Sequence, residues 1–255
     1  MNRPFVTVIV PTYNRRDFLP YLLHQYKYQT YPHDRMELLI IDDSPISNKD
    51  LFEKEDKKYN INYIHLKEKI KLGAKRNMLN ENAKGEIIVC MDDDDWYSPR
   101  RVKHCVDKLT KSKMQIGGST ILHIYYPHID EIRQFGPYGI DISQVHNSRH
   151  STAGPMCYTK EYTKTHKYPE DADKAEESQW TNQFSEPMVQ LDPHQTMICL
   201  AHGNNTVDKI PFIPQGKPTT LKIKDFFQDK DKLMLKRVKE LREKMIVNNL
   251  TSVKK

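Results

Sequence analysis

The chain has 255 residues, a formal net charge of +6 and 37% hydrophobic residues. This length suits one large α/β domain or a domain with an appendage, and the mild basicity suits an anionic ligand without identifying nucleic acid. The sequence contains no aromatic-basic RNA motif, no zinc-finger spacing and no CxxC pair, which argues against the common nucleic-acid-binding and zinc-binding classes. We therefore expect no nucleic acid among the partners.

Cysteine usage and hydropathy indicate the compartment. Among the four cysteines, Cys90 and Cys199 lie in apolar runs, which predicts buried thiols and a reducing environment. The N-terminus leads into a strand pattern without a signal peptide, and no apolar run approaches the roughly 20 residues that span a bilayer. We expect a cytoplasmic protein without a transmembrane segment.

The first half of the chain alternates strand and helix patterns. Apolar runs predict strands at residues 5–10, 37–41, 62–66 and 87–91. Amphipathic patterns predict helices at residues 18–26, 48–59, 73–83 and from Pro99 to about Leu109. Gly85 is expected to end the third of these helices. Strands that alternate with helices in this way predict an α/β fold with a mainly parallel sheet flanked by helices.

The second half is less regular. Residues 117–126 and 131–135 predict paired strands, and residues 196–201 predict a further strand. From about residue 221 the chain is rich in Lys and Glu and predicts a helix, with an apolar stripe at helical spacing: Met234, Val238, Leu241 and Met245. Packing on the domain is the default interpretation of this stripe, and a homodimer contact and a peripheral membrane contact are the alternatives.

The most informative segment is residues 85–99, where an apolar run ends in four consecutive carboxylates, Asp92 to Asp95. Adjacent like charges repel, so such a cluster needs a positive partner. The usual partner at a strand end is a divalent cation that prefers oxygen ligands, and a solvated acidic loop is the alternative. An EF-hand loop is rejected because its sixth position would be Tyr97 rather than Gly.

Polar residues also follow the first two predicted strands. They are Pro11-Thr12-Tyr13-Asn14-Arg15 after the first and Asp42-Asp43-Ser44-Pro45 after the second. In a parallel sheet both segments reach the same edge as the Asp cluster, and ligands of open α/β sheets bind at that edge. The pattern therefore predicts a binding crevice there, although a simple turn with an Asx cap remains the alternative for the second segment.

These segments, together with Gly73-Ala74-Lys75-Arg76-Asn77 and Ala175-Glu176-Glu177-Ser178-Gln179-Trp180, resemble in their order the family 2 glycosyltransferases of the GT-A fold. The Asp cluster is similar to the DxD signature of that family. Glu176-Glu177 is similar to its acidic motif, although Glu-Asp is more usual there. The resemblance covers roughly residues 4–206.

The resemblance implies a metal-dependent, inverting enzyme that moves a sugar from a nucleotide diphosphate. A UDP-sugar is the favoured donor and a GDP-sugar the alternative, and the acceptor would be a glycan, a lipid-linked molecule or a protein. It implies a GT-A domain at residues 1–220, with a nucleotide-sugar-binding half at 1–112 and an acceptor-binding half at 113–220. Residues 221–255 would form a helical extension.

The resemblance also implies which residues meet the donor nucleotide. They are Pro11, Thr12, Tyr13, Arg15, Asp42, Asp43, Arg76, Asp92 and Asp93. Asp43 would accept a hydrogen bond from the pyrimidine ring, and Thr12 and Tyr13 would line the base pocket. Arg76 would approach the base or the diphosphate, where a guanidinium can bind oxygen atoms bidentately. A position on the helix surface is the alternative for Arg76.

The metal, Mn²⁺ or Mg²⁺, is expected on Asp94, Asp92 and His202, and a purely structural His202 is the alternative. Not all four Asp side chains can enter one site, because alternate side chains of an extended segment face opposite ways. Asp95 is therefore expected either to contribute to function or to cap the next helix or orient one of the arginines that follow, Arg100 or Arg101.

Inversion requires one general base that takes a proton from the acceptor hydroxyl. By resemblance this base is Glu177, with Glu176 second, and an acidic helix start is the alternative for both. Trp180, His150 and Thr152 are expected beside the sugar or the acceptor. For Trp180, a place in the core is an equal alternative.

Two other functional classes stay open. A sugar nucleotidyltransferase also uses an α/β fold, a metal and Asp residues, but it usually carries a Gly-rich basic loop after its first strand, which Pro11-Thr12-Tyr13-Asn14 lacks. A non-catalytic nucleotide- or carbohydrate-binding module is the other alternative. Such a module would bind the donor without hydrolysing it.

Overall fold

The computed structural model describes residues 3–139, 142–227 and 231–252. Within these residues the larger sheet consists of β1 (Val6–Thr12), β2 (Met36–Asp42), β3 (Ile61–His65), β4 (Ile87–Cys90), β6 (Ile116–Gly118), β9 (Cys157–Thr159) and β10 (Met188–Gln190). The smaller sheet consists of β5 (Trp96–Tyr97), β7 (Leu122–Tyr126), β8 (Glu131–Phe135), β11 (Met197–Leu200) and β12 (Lys217–Pro218). The helices are α1 (Leu19–Lys27), α2 (Asp56–Tyr59), α3 (Leu72–Asn82), α4 (Arg101–Lys111), α5 (Tyr162–Thr165), α6 (Glu177–Trp180) and α7 (Lys232–Ser252).

The larger sheet is mainly parallel, as the alternating pattern predicted. Its strand order is β10-β6-β9-β4-β1-β2-β3, with β1 parallel to β2 and β4, and β2 parallel to β3. Only β9 runs antiparallel to its neighbours, β4 and β6, among the strands described. Every residue of β1, β2 and β4 is buried, because helices and loops cover both faces of these continuous apolar runs.

The register of the parallel strands brings the predicted polar segments together. Thr12 lies beside Asp42 across the β1–β2 pair, and Ile9 lies beside Cys90 across the β1–β4 pair. The chain therefore leaves all three strands at one edge, where residues 11–15 and the Asp cluster meet.

The smaller sheet is built on the segment that follows the Asp cluster. The predicted pairing of β7 with β8 is present and antiparallel, from Leu122 opposite Phe135 to Tyr126 opposite Glu131. β11 runs parallel to β7 and antiparallel to β5. Because β5 begins directly after Asp95, the smaller sheet is fixed against the carboxylate cluster.

Two local predictions were wrong. The segment predicted as a helix at 48–59 forms only a 3₁₀ turn, Lys49–Leu51, and the single turn of α2. Gly85 is not the cap of α3, which ends at Asn82 with an extended Ala83. A Cβ atom on Gly85 would lie 2.3 Å from the backbone nitrogen of Thr7, so Gly85 is required by the close approach of the chain to β1.

The C-terminal helix packs on the domain. It begins at Lys232 rather than near residue 221, because the preceding segment is a turn that places Phe226 and Phe227 against the ring of Trp96. The apolar stripe predicted for this helix is buried: Met234, Val238, Leu241 and Met245. Of the three interpretations of the stripe, packing on the domain describes this structure. None of the helices in the described ranges combines the length and apolar character needed to cross a membrane.

Polar contacts add to this packing. Tyr21 of α1 donates its hydroxyl proton to Glu240 at 3.1 Å, and His24 of α1 lies 2.8 Å from Asp231. Helices α1 and α7 are thus joined by apolar and polar contacts.

The packing of α7 can be tested by truncating one buried and one exposed leucine. Leu241 is 3% exposed and Leu235 is 40% exposed. We expect Leu241→Ala to lower the free energy of unfolding by about 2–5 kcal/mol and Leu235→Ala to change it by less than about 0.5 kcal/mol, as measured by urea denaturation. Equal effects of the two substitutions would show that α7 does not pack on the domain in solution.

Candidate active site

A cavity of about 790 Å³ opens at the edge of the larger sheet where β1 and β4 end. Five segments at or near the ends of strands and helices contribute to its wall: residues 11–15, 92–95, 152–154, 173–177 and 204–207. The smaller sheet contributes Leu122, Ile124, Phe135, Met197 and Cys199. The cavity therefore lies between the two sheets, with polar loops on one side and strand residues on the other.

Asp93 and Asp94 are held by cations or donors from other segments. The hydroxyl of Thr12 donates to Asp93 at 2.5 Å. Arg15 donates to Oδ2 of Asp94 at 2.5 Å, and Nε2 of His202 lies 3.1 Å from the same oxygen. Burial and the neighbouring Asp94 charge raise the pKa of Asp93 to about 8. Burial alone would raise the pKa of Asp94, but His202 and Arg15 hold it below its usual range.

Asp95 has a structural role that neither sequence interpretation anticipated. Its Oδ1 accepts a hydrogen bond from the backbone N–H of Leu200 at 2.9 Å. It neither caps α4 nor pairs with an arginine of that helix. Arg101 instead donates to three backbone carbonyls, those of Cys90, Gly154 and Met156.

Arg76 of α3 links the Asp cluster to the acidic motif. Its Nε donates to Glu176 at 2.7 Å, and its Nη2 lies 3.4 Å from Asp92. Arg76 and Glu176 are both buried, so the interpretation of Arg76 as a surface residue is wrong. Nη1 of Arg76 is buried without a hydrogen-bond partner among the described residues, which leaves one donor for a ligand oxygen.

Glu177 lines the cavity at the first residue of α6. Its Oε1 accepts a hydrogen bond from the backbone N–H of Ala153 at 3.0 Å. Burial, together with the adjacent Glu176, raises the pKa of Glu177. The acidic helix start and the cavity carboxylate are therefore the same residue, and the two interpretations do not exclude each other.

Asp42 and Asp43 are not among the described residues that line the cavity. Asp42 is buried in a turn, where it accepts hydrogen bonds from the backbone N–H of Ser44 at 2.9 Å, the side-chain amide of Asn48 at 2.8 Å and the hydroxyl of Tyr63 at 2.6 Å. The Asx-turn alternative describes this residue, and its carboxylate is saturated by protein donors.

Asp43 is tied to the cavity through Lys75. It accepts a hydrogen bond from the ammonium of Lys75 and another from the backbone N–H of Ile70 at 2.9 Å. Lys75 lines the cavity and also donates to the carbonyl of Thr12 at 3.0 Å. Its ammonium lies 5.9 Å from the centre of the Tyr13 ring.

The three residues expected beside the sugar or acceptor have different positions. Thr152 lines the cavity. Trp180 is fully buried and stacks on Tyr168 at 4.2 Å between ring centres, so the core alternative is correct. His150 stacks on Phe184 at 4.3 Å and is not among the described lining residues.

Of the remaining sequence-predicted residues, all but His202 line the cavity. The lining residues among them are Pro11, Thr12, Tyr13, Arg15, Arg76, Asp92, Asp93, Asp94, Glu176 and Glu177. Lys75, Asn205 and Lys209 are among the further cavity residues that the sequence patterns did not reveal. The need of the Asp cluster for positive partners was the available signal for the two lysines, and Asn205 could have been sought beside His202.

His202 and Arg15 share an aromatic neighbour with the C-terminal helix. The ring of Phe18 lies 4.7 Å from the ring of His202 and 5.3 Å from the guanidinium carbon of Arg15. Arg237 of α7 places its guanidinium 4.1 Å from the centre of the same ring. Phe18 therefore connects α7 to the residues that hold Asp94.

The fit of a divalent metal depends mainly on Asp94 and His202. Among the described residues no three His, Cys, Asp or Glu side chains form a ready metal-binding set. Asp94 and His202 nevertheless converge to 3.1 Å, and Asn205 lies 3.4 Å from the same Asp94 oxygen. A carboxylate oxygen and an imidazole nitrogen are donors that suit Mn²⁺.

Known proteins resemble this chain in sequence. Residues 7–161 match the sequence model of the family described as glycosyl transferase family 2. The chain is 33% identical over 105 residues to the putative teichuronic acid biosynthesis glycosyltransferase TuaG of Bacillus subtilis strain 168. The matched residues make up 40% of this chain and 40% of that protein. It is also 30% identical over 99 residues to poly(ribitol-phosphate) beta-N-acetylglucosaminyltransferase TarS of Staphylococcus aureus strain Mu50. This match covers 38% of this chain and 17% of that protein. The chain thus spans less than half the length of these curated relatives.

Solved structures show the same fold. TarS 1–349 of S. aureus in complex with UDP-GlcNAc superimposes with a TM-score of 0.61 at 19% identity, covering 79% of this chain and 60% of that one. The mannosyltransferase PcManGT of Pyrobaculum calidifontis in complex with GDP-Man and Mn²⁺ superimposes with a TM-score of 0.61 at 18% identity, covering 80% of this chain and 59% of that one. The GT-A fold predicted from the sequence is confirmed.

The raised pKa of Asp93 predicts a pH dependence of stability in the metal-free protein. The folded state keeps a proton up to about pH 8, whereas the unfolded chain releases it near pH 4. The stabilising contribution of this group is therefore full below about pH 4 and is lost as the pH rises towards 8.

Asp93→Asn removes this titration. Between pH 5 and pH 8 in EDTA, we expect the natural protein to lose stability relative to Asp93→Asn, as measured by urea denaturation. Asp171→Asn, a change at an exposed carboxylate, is the control and should leave the pH dependence unchanged. A difference between the natural protein and Asp93→Asn that stays constant with pH would show that Asp93 is ionised throughout this range.

Proposed function

The chain belongs to glycosyl transferase family 2, and on this basis we propose that it transfers a sugar from a nucleotide diphosphate to an acceptor hydroxyl. One observation carries the proposal: the aspartates that follow β4, Arg76 and Glu177 line one cavity. Its volume of about 790 Å³ falls within the range of ligand-binding cavities in proteins. The match to family 2 favours this function over a sugar nucleotidyltransferase.

The positive side chains of the cavity suit a diphosphate leaving group. Negative charge develops on that group as the sugar leaves, and fixed cations and donors lower the energy of the transition state. Arg76 has the unpartnered Nη1, and Lys75 and Lys209 line the same cavity. We infer that Arg76 and Lys75 meet the donor phosphates.

The nucleotide is proposed to lie against the segment after β1. Thr12 and Tyr13 line the cavity there, and we infer that Asp43 acts through its partner Lys75. A UDP-sugar is the favoured donor, supported by the likeness to TarS in complex with UDP-GlcNAc. A GDP-sugar is the alternative, supported by the likeness to PcManGT in complex with GDP-Man.

A divalent metal, Mn²⁺ or Mg²⁺, is proposed as the cofactor. Asp94 and His202 would hold it, with Asp92 nearby, since Asp92 and Asp94 line the cavity and His202 lies 3.1 Å from Asp94. When bound, such a metal stabilises the charge of the diphosphate. Arg15 donates to the same Asp94 oxygen as His202, so its guanidinium competes with a cation at this position.

Glu177 is proposed as the general base of an inverting reaction. It would take the proton of the acceptor hydroxyl while the oxygen attacks the sugar carbon. The hydrogen bond from Ala153 orients its carboxylate, and the raised pKa of Glu177 makes it a stronger base. Glu176 is bound to Arg76, so we infer that it positions Arg76 and does not serve as the base.

Donor binding can be tested with a thermal-shift panel. UDP and GDP are each added with Mn²⁺, with Mg²⁺ or with EDTA, because a ligand of the folded state raises Tm. We expect a shift with UDP that requires metal and that is lost in Asp94→Asn but retained in Asp171→Asn. The absence of a shift with both diphosphates, in folded protein, would contradict the proposed nucleotide site.

The base is tested by Glu177→Gln, which keeps the size of the side chain and removes its basicity. We expect this variant to keep the UDP shift and to lose about 10²–10⁴-fold in the rate of UDP release from the donor. Glu170→Gln, an exposed neighbour, should retain both. Unchanged UDP release in Glu177→Gln would refute the assignment of the base. UDP binding without any UDP release in the natural protein would indicate a non-catalytic module.

A further inference from the structure

We propose that the acceptor carries an apolar group next to the hydroxyl that receives the sugar. This inference rests on the proposed function, because it concerns the acceptor side of the same cavity. The smaller sheet contributes five side chains to the cavity, none with a hydroxyl, an amide or a charge: Leu122, Ile124, Phe135, Met197 and Cys199. A ligand on this side meets an apolar surface.

The apolar wall begins beside the reacting groups. A Cβ atom on Gly154 would lie 2.9 Å from Sδ of Met197 and 3.0 Å from Oδ2 of Asp92. The preceding residue, Ala153, donates its backbone N–H to Glu177. Met197 therefore lies near both the carboxylate cluster and the proposed base. An acceptor hydroxyl within reach of Glu177 has this wall as its neighbour.

The apolar surface continues to the mouth of the cavity. Val207 and Phe212 line the cavity, yet each is 36% exposed. Asn205, a polar residue of the same loop, is bound to Asp94 and His202 instead. Asn204 and Thr206 of the same loop are exposed and also line the cavity, so the apolar surface at the mouth consists of Val207 and Phe212 beside these polar residues.

The chemistry of this wall discriminates between acceptors. A sugar acceptor presents hydroxyl groups, and those that face these five apolar side chains would lose hydrogen bonds to water without gaining partners. An alkyl or aryl group gains by leaving water for the same surface. An alkyl chain of a lipid and an aromatic ring share this property, so the experiment includes both.

The test uses simple alcohols as acceptors. The UDP released when the sugar passes from a UDP-sugar to the alcohol is measured with Mn²⁺ and increasing concentrations of ethanol, butan-1-ol, hexan-1-ol or benzyl alcohol, with glucose as the polyol control. We expect the half-saturating concentration to fall about fourfold for each buried methylene and to show no saturation with glucose. A preference for benzyl alcohol over hexan-1-ol would identify an aromatic group rather than an alkyl chain.

Two substitutions test whether the apolar side chains of the cavity cause this dependence on the chain length of the alcohol. Phe212→Ser and Val207→Ser should each raise the half-saturating concentration of hexan-1-ol, by about tenfold for Phe212→Ser. Ile210→Ser is the matched control, because Ile210 lies in the same loop and is 37% exposed but is not among the described lining residues. Equal effects of all three substitutions would contradict the proposed contact.

The outcomes separate this inference from the proposed function. If the protein shows a metal-dependent UDP shift and releases UDP, but chain length has no effect, the apolar acceptor is refuted and the glycosyltransferase remains. Saturation with glucose but not with hexan-1-ol would also refute the apolar acceptor. If neither a UDP shift nor UDP release occurs, both proposals are overturned.

Discussion

The carboxylate cluster after β4 is met by cations from distant parts of the chain. Arg15 from the loop after β1 and Arg76 from α3 are the principal partners. Burying ion pairs contributes little to stability, because desolvation offsets much of the attraction. A contribution to stability is therefore a poor explanation for the cluster, and binding of a charged ligand is a better one. It also joins the two sheets, since Asp95 binds the backbone of β11.

The two sides of the cavity have different physical origins. On the polar side, residues 11–15 and 92–95 leave the parallel sheet at one edge, and their positions follow from the strand register. The apolar side consists of strand residues of the smaller sheet, which are fixed by packing. The family match covers residues 7–161, so it includes parts of both sides and ends before Glu177.

The sequence was sufficient for features that depend on local pattern. Continuous apolar runs identified the buried strands, and the parallel arrangement then placed their ends together. Patterns did not reveal which polar residues would form hydrogen bonds within the protein rather than line the site. The carboxylate of Asp42 accepts hydrogen bonds from Asn48 and Tyr63, which come from other segments. Trp180 in the acidic motif was equally ambiguous, because its stacking on Tyr168 is a tertiary contact that no spacing encodes.

Phe18 connects the packing of the C-terminal helix with the residues that hold Asp94. Arg15, His202 and Arg237 all contact its ring, so a ligand that draws Arg15 or His202 to itself changes the surroundings of a residue on which α7 rests. Energetic coupling of this kind is reciprocal. If a ligand at Asp94 changed the docking equilibrium of α7, docking of α7 would change the affinity for that ligand by the same factor. A chain cut before Lys232 would lack this coupling between α7 and the site, even though the cut removes none of the described residues that line the cavity.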